Sequence, residues 1–157
     1  MTPRTSADYL TRDPGPLAVS DWIDVDQARV DVFADATRHT HWLHTDPDRA
    51  TAESPYGGTV AHGFLVLSFI NHAIDFCGLR PSDSTYALNY GADRVRFLAP
   101  MPVGTGFRVR DRISLIEASA HPKGLFTRTG HIFEVERADG DHVACVSAEY
   151  LSIWVPA

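Results

Sequence analysis

Residues 60–79 read VAHGFLVLSFINHAIDFCGL, and apolar side chains cover almost the whole circumference of the helix that this stretch would form. The glycines at 57 and 58 precede it, and the glycine at 78 closes it. A helix that is apolar nearly all round must be enclosed by its own domain or by a partner chain. At about 1.5 Å per residue the stretch spans roughly 25 Å, and polar residues interrupt it, which disfavours a membrane span. We therefore predict a central core helix over about residues 60–78.

The composition is that of an ordinary globular protein. The chain has 157 residues, of which 44% are hydrophobic and 22% charged, and its net charge is −6. This length suits one domain, and the acidic balance disfavours nucleic acid or an anionic membrane as a partner. Cys77 and Cys145 stand among apolar residues and are expected to be buried thiols. No hydrophobic leader is visible at the N-terminus, so we expect a cytoplasmic protein.

The first part of the chain is predicted to contain helices. Proline and glycine break up the first residues, which predicts a flexible arm over residues 1–17 and a single domain over residues 18–157. A short strand is expected within residues 20–25. Asp26 is a typical N-cap for a helix over residues 27–37, and Asp46-Pro47 marks the start of a second helix that ends near residue 52.

Beyond the central helix, apolar residues recur at every second position and no longer every 3.6 residues. This pattern predicts strands over residues 86–89, 94–98, 107–115, 125–137 and 142–154. Turns are expected at residues 121–124 and 138–141. Arg108, Arg110 and Arg112 alternate along one strand and predict a solvated face, with contact to carrier phosphates as the alternative. Helices followed by hairpin-connected strands indicate an α+β protein whose mainly antiparallel sheet curves around the central helix.

The histidines are unevenly distributed. Four of the eight are His39, His41 and His44 in one segment and His62 at the start of the central helix. Histidine titrates nearest neutral pH, so this clustering suits proton transfer or metal binding. The spacing His39-x-His41-x-x-His44-x-Asp46 offers four ligands of the kind that zinc accepts. In an extended segment alternate side chains point to opposite faces, so His44 would need a bend to join the others.

Two other interpretations of these histidines are open. Loop histidines cap helix ends or bind backbone groups, which is an ordinary role for His41 and His62. The alternative is acid–base catalysis beside a helix end whose first N–H groups lack internal partners. Gly63 would let a substrate carbonyl approach those groups closely, while a loop histidine moves a proton at the adjacent carbon. This chemistry adds or removes water across a double bond conjugated to a thioester.

Four segments carry a resemblance to a known family: FADAT at residues 33–37, WLHTDPDRA at 42–50, GGTVAHGFL at 57–65 and NYGADRVRF at 89–97. In combination they resemble the MaoC-like (R)-specific enoyl hydratases and dehydratases, and within them the nodulation-protein-N-like branch. The resemblance covers roughly residues 18–154. It implies the hot-dog fold, in which an antiparallel sheet wraps a long central helix, usually in a homodimer with acyl-thioester sites at the interface.

The resemblance also implies roles for individual residues. His44 matches the family's catalytic histidine, and Gly63 matches the glycine whose amide holds the thioester carbonyl. The family's catalytic aspartate stands five residues before the histidine, where this chain has His39. The expected substrate-binding residues are Ser68, which matches a pocket serine of the family, and His62, Asn89 and His41.

The exchange at residue 39 changes the chemistry expected of the site. Imidazole in place of carboxylate removes a negative charge and an acceptor-only group from the position that would hold water. Losing or misplacing one acid–base partner typically costs about 10²–10⁴ in rate. A neutral His39 still has one nitrogen that can act as a base, but two close histidines titrate as a coupled pair.

We therefore predict an enzyme that adds or removes water across the 2,3 double bond of an acyl thioester, carried by coenzyme A or an acyl carrier protein. His44, His39 and Gly63 would be its catalytic residues, with altered or reduced activity because of His39. A homodimer without a metal or redox cofactor is expected. One alternative is a repurposed dehydratase or cyclase of polyketide or other secondary metabolism. Another is an acyl-binding protein without catalysis.

Overall fold

The computed structural model describes residues 4–104, 106–136 and 140–157, and these parts of the chain form six helices and six strands. The helices are α1 Ser6–Leu10, α2 Gln27–Thr37, α3 Trp42–Thr45, α4 Pro47–Glu53, α5 Gly63–Ser68 and α6 Ile70–Phe76. The strands are β1 Gly15–Val19, β2 Ile23–Asp24, β3 Ser84–Phe97, β4 Arg108–His121, β5 Gly124–Glu136 and β6 His142–Pro156. Within the described ranges no helix is long and apolar enough to cross a membrane.

One antiparallel sheet forms the frame, in the order β1-β4-β5-β6-β3, with β2 also paired to β4. Every second residue of β5 is buried, because successive side chains of a strand point to opposite faces. The buried face packs against α5 and α6 in a single apolar core. This arrangement confirms the predicted α+β class.

The hairpin between β4 and β5 confirms the predicted turn at residues 121–124, since His121 pairs with Gly124. Gly124 has a φ of +139°, and a Cβ atom there would lie 2.0 Å from the carbonyl oxygen of Trp154. The turn therefore requires glycine. Two of the four residues of the turn predicted at 138–141, residues 138 and 139, lie outside the described residues.

The central helix is shorter than predicted and is broken into α5 and α6. Val60 forms a bridge with Pro102, so the helix begins at Gly63. At its middle the Ser68 hydroxyl donates to the carbonyl oxygen of Leu65, and the Phe69 N–H donates to Val66. This local hydrogen bonding replaces one regular α-helical bond and interrupts the helix.

Burial of the central segment within the chain is one-sided, so the chain by itself does not enclose the helix. Val66, Ile70 and Ala73 are buried against the sheet, whereas Phe64 is 65% exposed. Because the sheet covers a single side of a helix, the opposite side stays open unless another chain covers it.

The prediction of a flexible arm over residues 1–17 is wrong for the described residues from 4 onward. Thr5 and Asp8 form a capping box that starts α1, and β1 pairs with β4. Tyr9 is 2% exposed, and its hydroxyl donates to the carbonyl oxygen of Leu79 at 2.6 Å. A short capped helix anchored by one aromatic side chain therefore outweighs the proline and glycine signals.

The remaining predicted elements agree with the structure apart from their bounds. Asp26 and Asp46 accept backbone hydrogen bonds at the starts of α2 and α4, as the sequence predicts. The two strands predicted over residues 86–98 are one strand, β3, whose pairing shifts at three irregular points.

Arg108, Arg110 and Arg112 do not form a freely solvated face. Arg108 pairs with Glu136 at 2.7 Å, and the other two pair with Glu134 at 3.2 and 3.3 Å. Because β5 presents glutamates beside the arginines of β4, these charges are compensated within the domain.

Candidate active site

The chain reverses direction at the end of α2 and so brings His39 towards the start of α5. Arg38 closes α2 with a left-handed φ of 56°, and the His39 N–H donates to the carbonyl oxygen of Ala34 at 2.9 Å. This tight reversal is a common way to end a helix. The exposed His39 side chain therefore sits beside the last turn of α2.

Two hydrogen bonds to Val60, one from the His44 ring and one at the Leu43 backbone, join α3 to the segment before α5. Nδ1 of His44 lies 2.7 Å from the carbonyl oxygen of Val60, and the Val60 N–H donates to the carbonyl oxygen of Leu43 at 3.1 Å. A carbonyl oxygen can only accept, so Nδ1 carries the proton. In the neutral ring Nε2 therefore keeps its lone pair.

His62 is 3% exposed and precedes the first residue of α5. Its Nε2 donates to the carbonyl oxygen of His39 at 2.9 Å, while its buried Nδ1 has no hydrogen-bond partner among the described residues. The rings of His44 and His62 stack with centroids 3.8 Å apart. The His39 ring lies 5.4 Å from His44 and 5.1 Å from His62, so the three imidazoles form one cluster.

A cavity of about 200 Å³ opens beside this cluster. Its lining residues are Phe33, Thr37, His39, His44, His62, Gly63 and Phe64. His44 and Gly63 therefore face the same space. Gly63 is the first residue of α5, where backbone N–H groups have no acceptor within the helix and no side chain caps them.

A larger cavity of about 460 Å³ also borders Gly63. Its walls are mainly apolar and include Leu43, Val66, Phe97, Met101 and Val146. A Cβ atom on residue 63 would lie 2.4 Å from the Phe97 ring, so this ring requires glycine at the point that the two cavities share. Glycine was predicted at position 63 so that a substrate carbonyl could approach the backbone closely. In the structure it is the Phe97 ring that lies close to this residue.

Burial lowers the pKa of His44 below its ordinary value of 6.5. The hydrogen bond to Val60 opposes this shift, while positive charge on His62, His39 or His41 would add to it. Desolvation and like charges both disfavour the imidazolium form. His44 is therefore mostly neutral at pH 7 and able to accept a proton through Nε2.

A family model described as a MaoC like domain matches residues 11–124, more than half of the chain. The chain belongs to the MaoC-like domain family. This MaoC-like chain is 46% identical to Nodulation protein N of Rhizobium leguminosarum bv. viciae over 78% of its own length and 75% of the relative's. It is 43% identical to 3-hydroxyacyl-thioester dehydratase Z of Mycobacterium tuberculosis (strain ATCC 25618 / H37Rv), and the match covers 62% of each chain. The family predicted from the four sequence segments is therefore confirmed.

The MaoC-like chain also resembles solved structures. R-hydratase PhaJ1 from Pseudomonas aeruginosa superposes with a TM-score of 0.70 and 18% identity, over 98% of this chain and 86% of that one. At this level of identity the likeness concerns the fold alone. It confirms the predicted hot-dog fold.

The MaoC-like fold brings together four of the predicted site residues, His39, His44, His62 and Gly63, around the smaller cavity. The other three do not line that cavity in the described part of the chain. His41 accepts the Leu43 N–H at 3.3 Å as the N-cap of α3, Ser68 binds Leu65 within α5, and Asn89 accepts a hydrogen bond from the Tyr150 hydroxyl. Their substrate-binding roles stay predictions.

The metal-ligand set considered from the sequence spacing is not assembled. Asp46 accepts the Arg49 N–H at 3.0 Å and caps α4, and His41 caps α3. The histidines that meet are His39, His44 and His62.

Sequence reasoning missed Phe33 and Thr37 as cavity residues. They stand four positions apart on α2, and this spacing places them on one helix face. That spacing, together with the position of Thr37 two residues before His39, is the signal that could have identified them.

Proposed function

We propose that the protein is a hydratase or dehydratase that adds or removes water across the 2,3 double bond of an acyl thioester. The observation that carries the proposal is that His44, with its unprotonated Nε2, and Gly63, at the uncapped start of α5, line one cavity. A base and a hydrogen-bond donor for a developing enolate are the two groups that this reaction needs.

In the hydration direction, Nε2 of His44 takes a proton from water as the water oxygen bonds to C3 of the enoyl thioester. The electron pair of the double bond moves towards the thioester carbonyl, and the Gly63 N–H stabilises the resulting enolate oxygen. The proton then passes from the histidines to C2, which completes the 3-hydroxyacyl thioester. Dehydration follows the same steps in reverse.

His39 would be the second acid–base group. Its ring lies 5.4 Å from that of His44, close enough for a water molecule to contact both. Unlike a carboxylate, a neutral imidazole offers one donor and one acceptor and does not stabilise a positive charge on His44. We therefore expect a slower reaction than with aspartate at position 39.

The larger apolar cavity would hold the acyl chain. It begins at Gly63, where the thioester carbonyl would bind, and its mainly apolar walls suit hydrocarbon. The name of one relative, 3-hydroxyacyl-thioester dehydratase Z, agrees with this substrate class. Coenzyme A or an acyl carrier protein would be the carrier, the enzyme would act as a homodimer, and we place it in the cytoplasm.

The test is hydration of a short trans-2-enoyl-CoA by the wild type, His44→Ala and His39→Asp, followed by loss of enoyl absorbance. We expect weak wild-type activity, a gain in His39→Asp, and a loss of about 10²–10⁴ in His44→Ala. His72→Gln, on the exposed part of α6, is the matched histidine control and should behave as wild type. Unchanged activity in His44→Ala would overturn the proposal.

The exposed imidazole of His39 at the cavity favours one alternative, a related enzyme whose altered site serves a different substrate, such as a tailoring dehydratase or cyclase. In that case His39→Asp remains inert towards simple enoyl thioesters, while His44 is still required with the true substrate. Tight binding of acyl thioesters without turnover would instead favour a binding protein.

A further inference from the structure

We propose that His39, His44 and His62 form a binding site for one divalent transition-metal ion of the zinc class. One ring nitrogen of each residue lies within 4.8 Å of a ring nitrogen of the other two. Three imidazoles with an open fourth position are an established type of zinc site. Unlike the ligand set considered from the sequence spacing, this set includes His62. It leaves out His41 and Asp46, because those two residues cap helices.

Two of the three histidines already make the hydrogen bond to a carbonyl oxygen that metal-bound histidines usually make. His44 donates its Nδ1–H to Val60, and His62 donates its Nε2–H to the carbonyl oxygen of His39. A metal-bound histidine typically donates its other ring N–H to a carbonyl or carboxylate, which fixes the tautomer and leaves the second nitrogen for the ion. Here those second nitrogens are Nε2 of His44 and Nδ1 of His62.

The buried Nδ1 of His62 is a second, independent observation. This atom is shielded from solvent and has no hydrogen-bond partner among the described residues. An unpaired buried polar atom costs free energy, because it loses its bond to water without replacement. An ion bound at Nδ1 would remove that cost and would give the buried ring a function beyond packing.

The cluster must contract slightly to bind the ion. With Zn–N bonds of about 2.0–2.1 Å, tetrahedral geometry sets neighbouring nitrogens about 3.3–3.5 Å apart. One ring nitrogen of each histidine lies within 4.8 Å of the other two, so this set of nitrogens would have to approach by no more than about 1.5 Å. The stacked rings of His44 and His62 would also turn so that their lone pairs converge, and the exposed His39 side chain is free to close the site from outside.

The ligand set selects the class of ion. Three neutral imidazoles without a carboxylate suit Zn²⁺, Co²⁺, Ni²⁺ or Cu²⁺, whereas Mg²⁺ and Ca²⁺ prefer oxygen ligands. The fourth position would face the cavity lined by Phe33, Thr37 and Gly63. An aspartate at position 39 would supply an oxygen ligand instead, so the three-imidazole set depends on His39.

We expect the bound ion to inhibit the hydration reaction, and this expectation rests on the proposed function. The ion would bind the Nε2 lone pair of His44 that otherwise accepts the proton from water. Metal binding and hydration would then exclude each other.

The test is titration of the tag-free 157-residue protein with Co²⁺, followed by its visible absorption, and with Zn²⁺ by calorimetry. We expect one ion per chain and the intense absorption of tetrahedral Co²⁺. His39→Gln should weaken binding by at least about 100-fold, since altering even outer-shell partners costs 10–100-fold. His72→Gln should bind as wild type. Binding that is equal in His39→Gln and wild type, or no stoichiometric binding at all, would overturn the site.

Hydration assays with and without Zn²⁺ test the consequence separately. We expect Zn²⁺ to inhibit wild type and His72→Gln, with full recovery on adding a chelator. Stoichiometric binding without inhibition would overturn the inhibitory role and leave the site itself established. If the wild type and His39→Asp both lack hydratase activity, the proposed function fails, while the Co²⁺ titration still decides the metal site.

Discussion

Burial of His44 within the histidine cluster lowers the proton affinity of the candidate base. Burial and the neighbouring imidazoles lower the pKa of His44, and the hydrogen bond to Val60 is the opposing contribution. Because the neutral form is the base, a lowered pKa keeps His44 active at a more acidic pH than an ordinary histidine.

We therefore expect kcat/KM for hydration to rise with pH as His44 loses its proton, with a midpoint below 6.5. In His39→Asp the midpoint should move upward, because a nearby carboxylate stabilises the imidazolium. The measurement is the pH profile of kcat/KM for both proteins under metal-free conditions. A wild-type midpoint above 6.5, or a downward shift in His39→Asp, would contradict this account.

A second prediction at this scale concerns the contact between Gly63 and Phe97. In Gly63→Ala the new Cβ atom would lie 2.4 Å from the Phe97 ring, and displacing the ring should cost about 1–3 kcal/mol of unfolding free energy. In a Phe97→Ala background the same change should cost less than about 0.5 kcal/mol, because the ring is absent. Urea unfolding of the four proteins measures this coupling.

Gly58→Ala is the matched control for that cycle, since no atom beyond its two chain neighbours lies within 4 Å of the position of its Cβ. It should change stability by no more than about 0.5 kcal/mol in either background. An equal cost of Gly63→Ala with and without the Phe97 ring would show that the ring is not the reason for glycine at this position.

At the scale of secondary-structure elements, α1 is attached to the domain by the buried Tyr9 and by Ser6, whose N–H and hydroxyl donate to the Asp83 carboxylate. Burial raises the pKa of the Tyr9 hydroxyl to about 12, from an ordinary value of 10.0. The folded state therefore holds this proton more tightly than the unfolded chain. This contribution to stability is complete below pH 10 and is lost as the pH rises from 10 to 12.

We expect the unfolding free energy of wild type to fall between pH 10 and 12 by about 2–3 kcal/mol more than that of Tyr9→Phe. At pH 7, Tyr9→Phe should cost about 1 kcal/mol, the net value of one hydrogen bond. Denaturant unfolding at several pH values provides both differences. Parallel pH dependences of the two proteins would mean that Tyr9 titrates alike in the folded and unfolded states.

The elements differ in how well the sequence predicts them. Helix α2 has the predicted bounds because its cap, Asp26, and its apolar spacing are local signals. The break at Ser68 was missed because it depends on whether the Ser68 hydroxyl or the Phe69 N–H donates to the carbonyl oxygen of Leu65. The spacing of apolar residues carries no information about that choice. The attachment of α1 was missed because it depends on hydrogen bonds of Tyr9 and Ser6 to residues 70 and 77 positions away along the chain.

Contacts between polar side chains also differ in how well the sequence predicts them. The approach of His39 to His44 was expected from the family pattern, and the stacking of His62 on His44 follows from the reversal at Arg38 and from the Val60 hydrogen bond. The buried pair of Asp111 and His131, 2.6 Å apart, was not predicted. It depends on the register of β4 against β5, which sequence spacing does not determine.

At the scale of the whole molecule, Phe64 of α5 and Phe97 of β3 form an exposed apolar surface. Their rings lie 5.2 Å apart, and the two residues are 65% and 49% exposed. β3 is also an edge strand of the sheet, with β6 as its neighbour in the described residues. Exposed apolar side chains beside an open strand edge are typical of a protein interface.

This surface reaches the candidate active site, because Phe64 lines the smaller cavity and its ring lies 5.2 Å from that of Phe97. A second copy of the chain packed here would cover Phe64 and complete the wall of the cavity. The site and the dimer would then depend on each other.

We therefore expect Phe64→Glu to convert a dimer into a monomer in sedimentation velocity and to lower hydratase activity at least about 10-fold, since a charge cannot be buried in an apolar interface without a partner. Val32→Glu is the matched control, because Val32 is 71% exposed on α2 and stands outside this surface. It should change neither the sedimentation coefficient nor kcat/KM. Circular dichroism separates loss of the dimer from loss of the fold. A folded, dimeric and active Phe64→Glu variant would place the subunit interface elsewhere on the molecule.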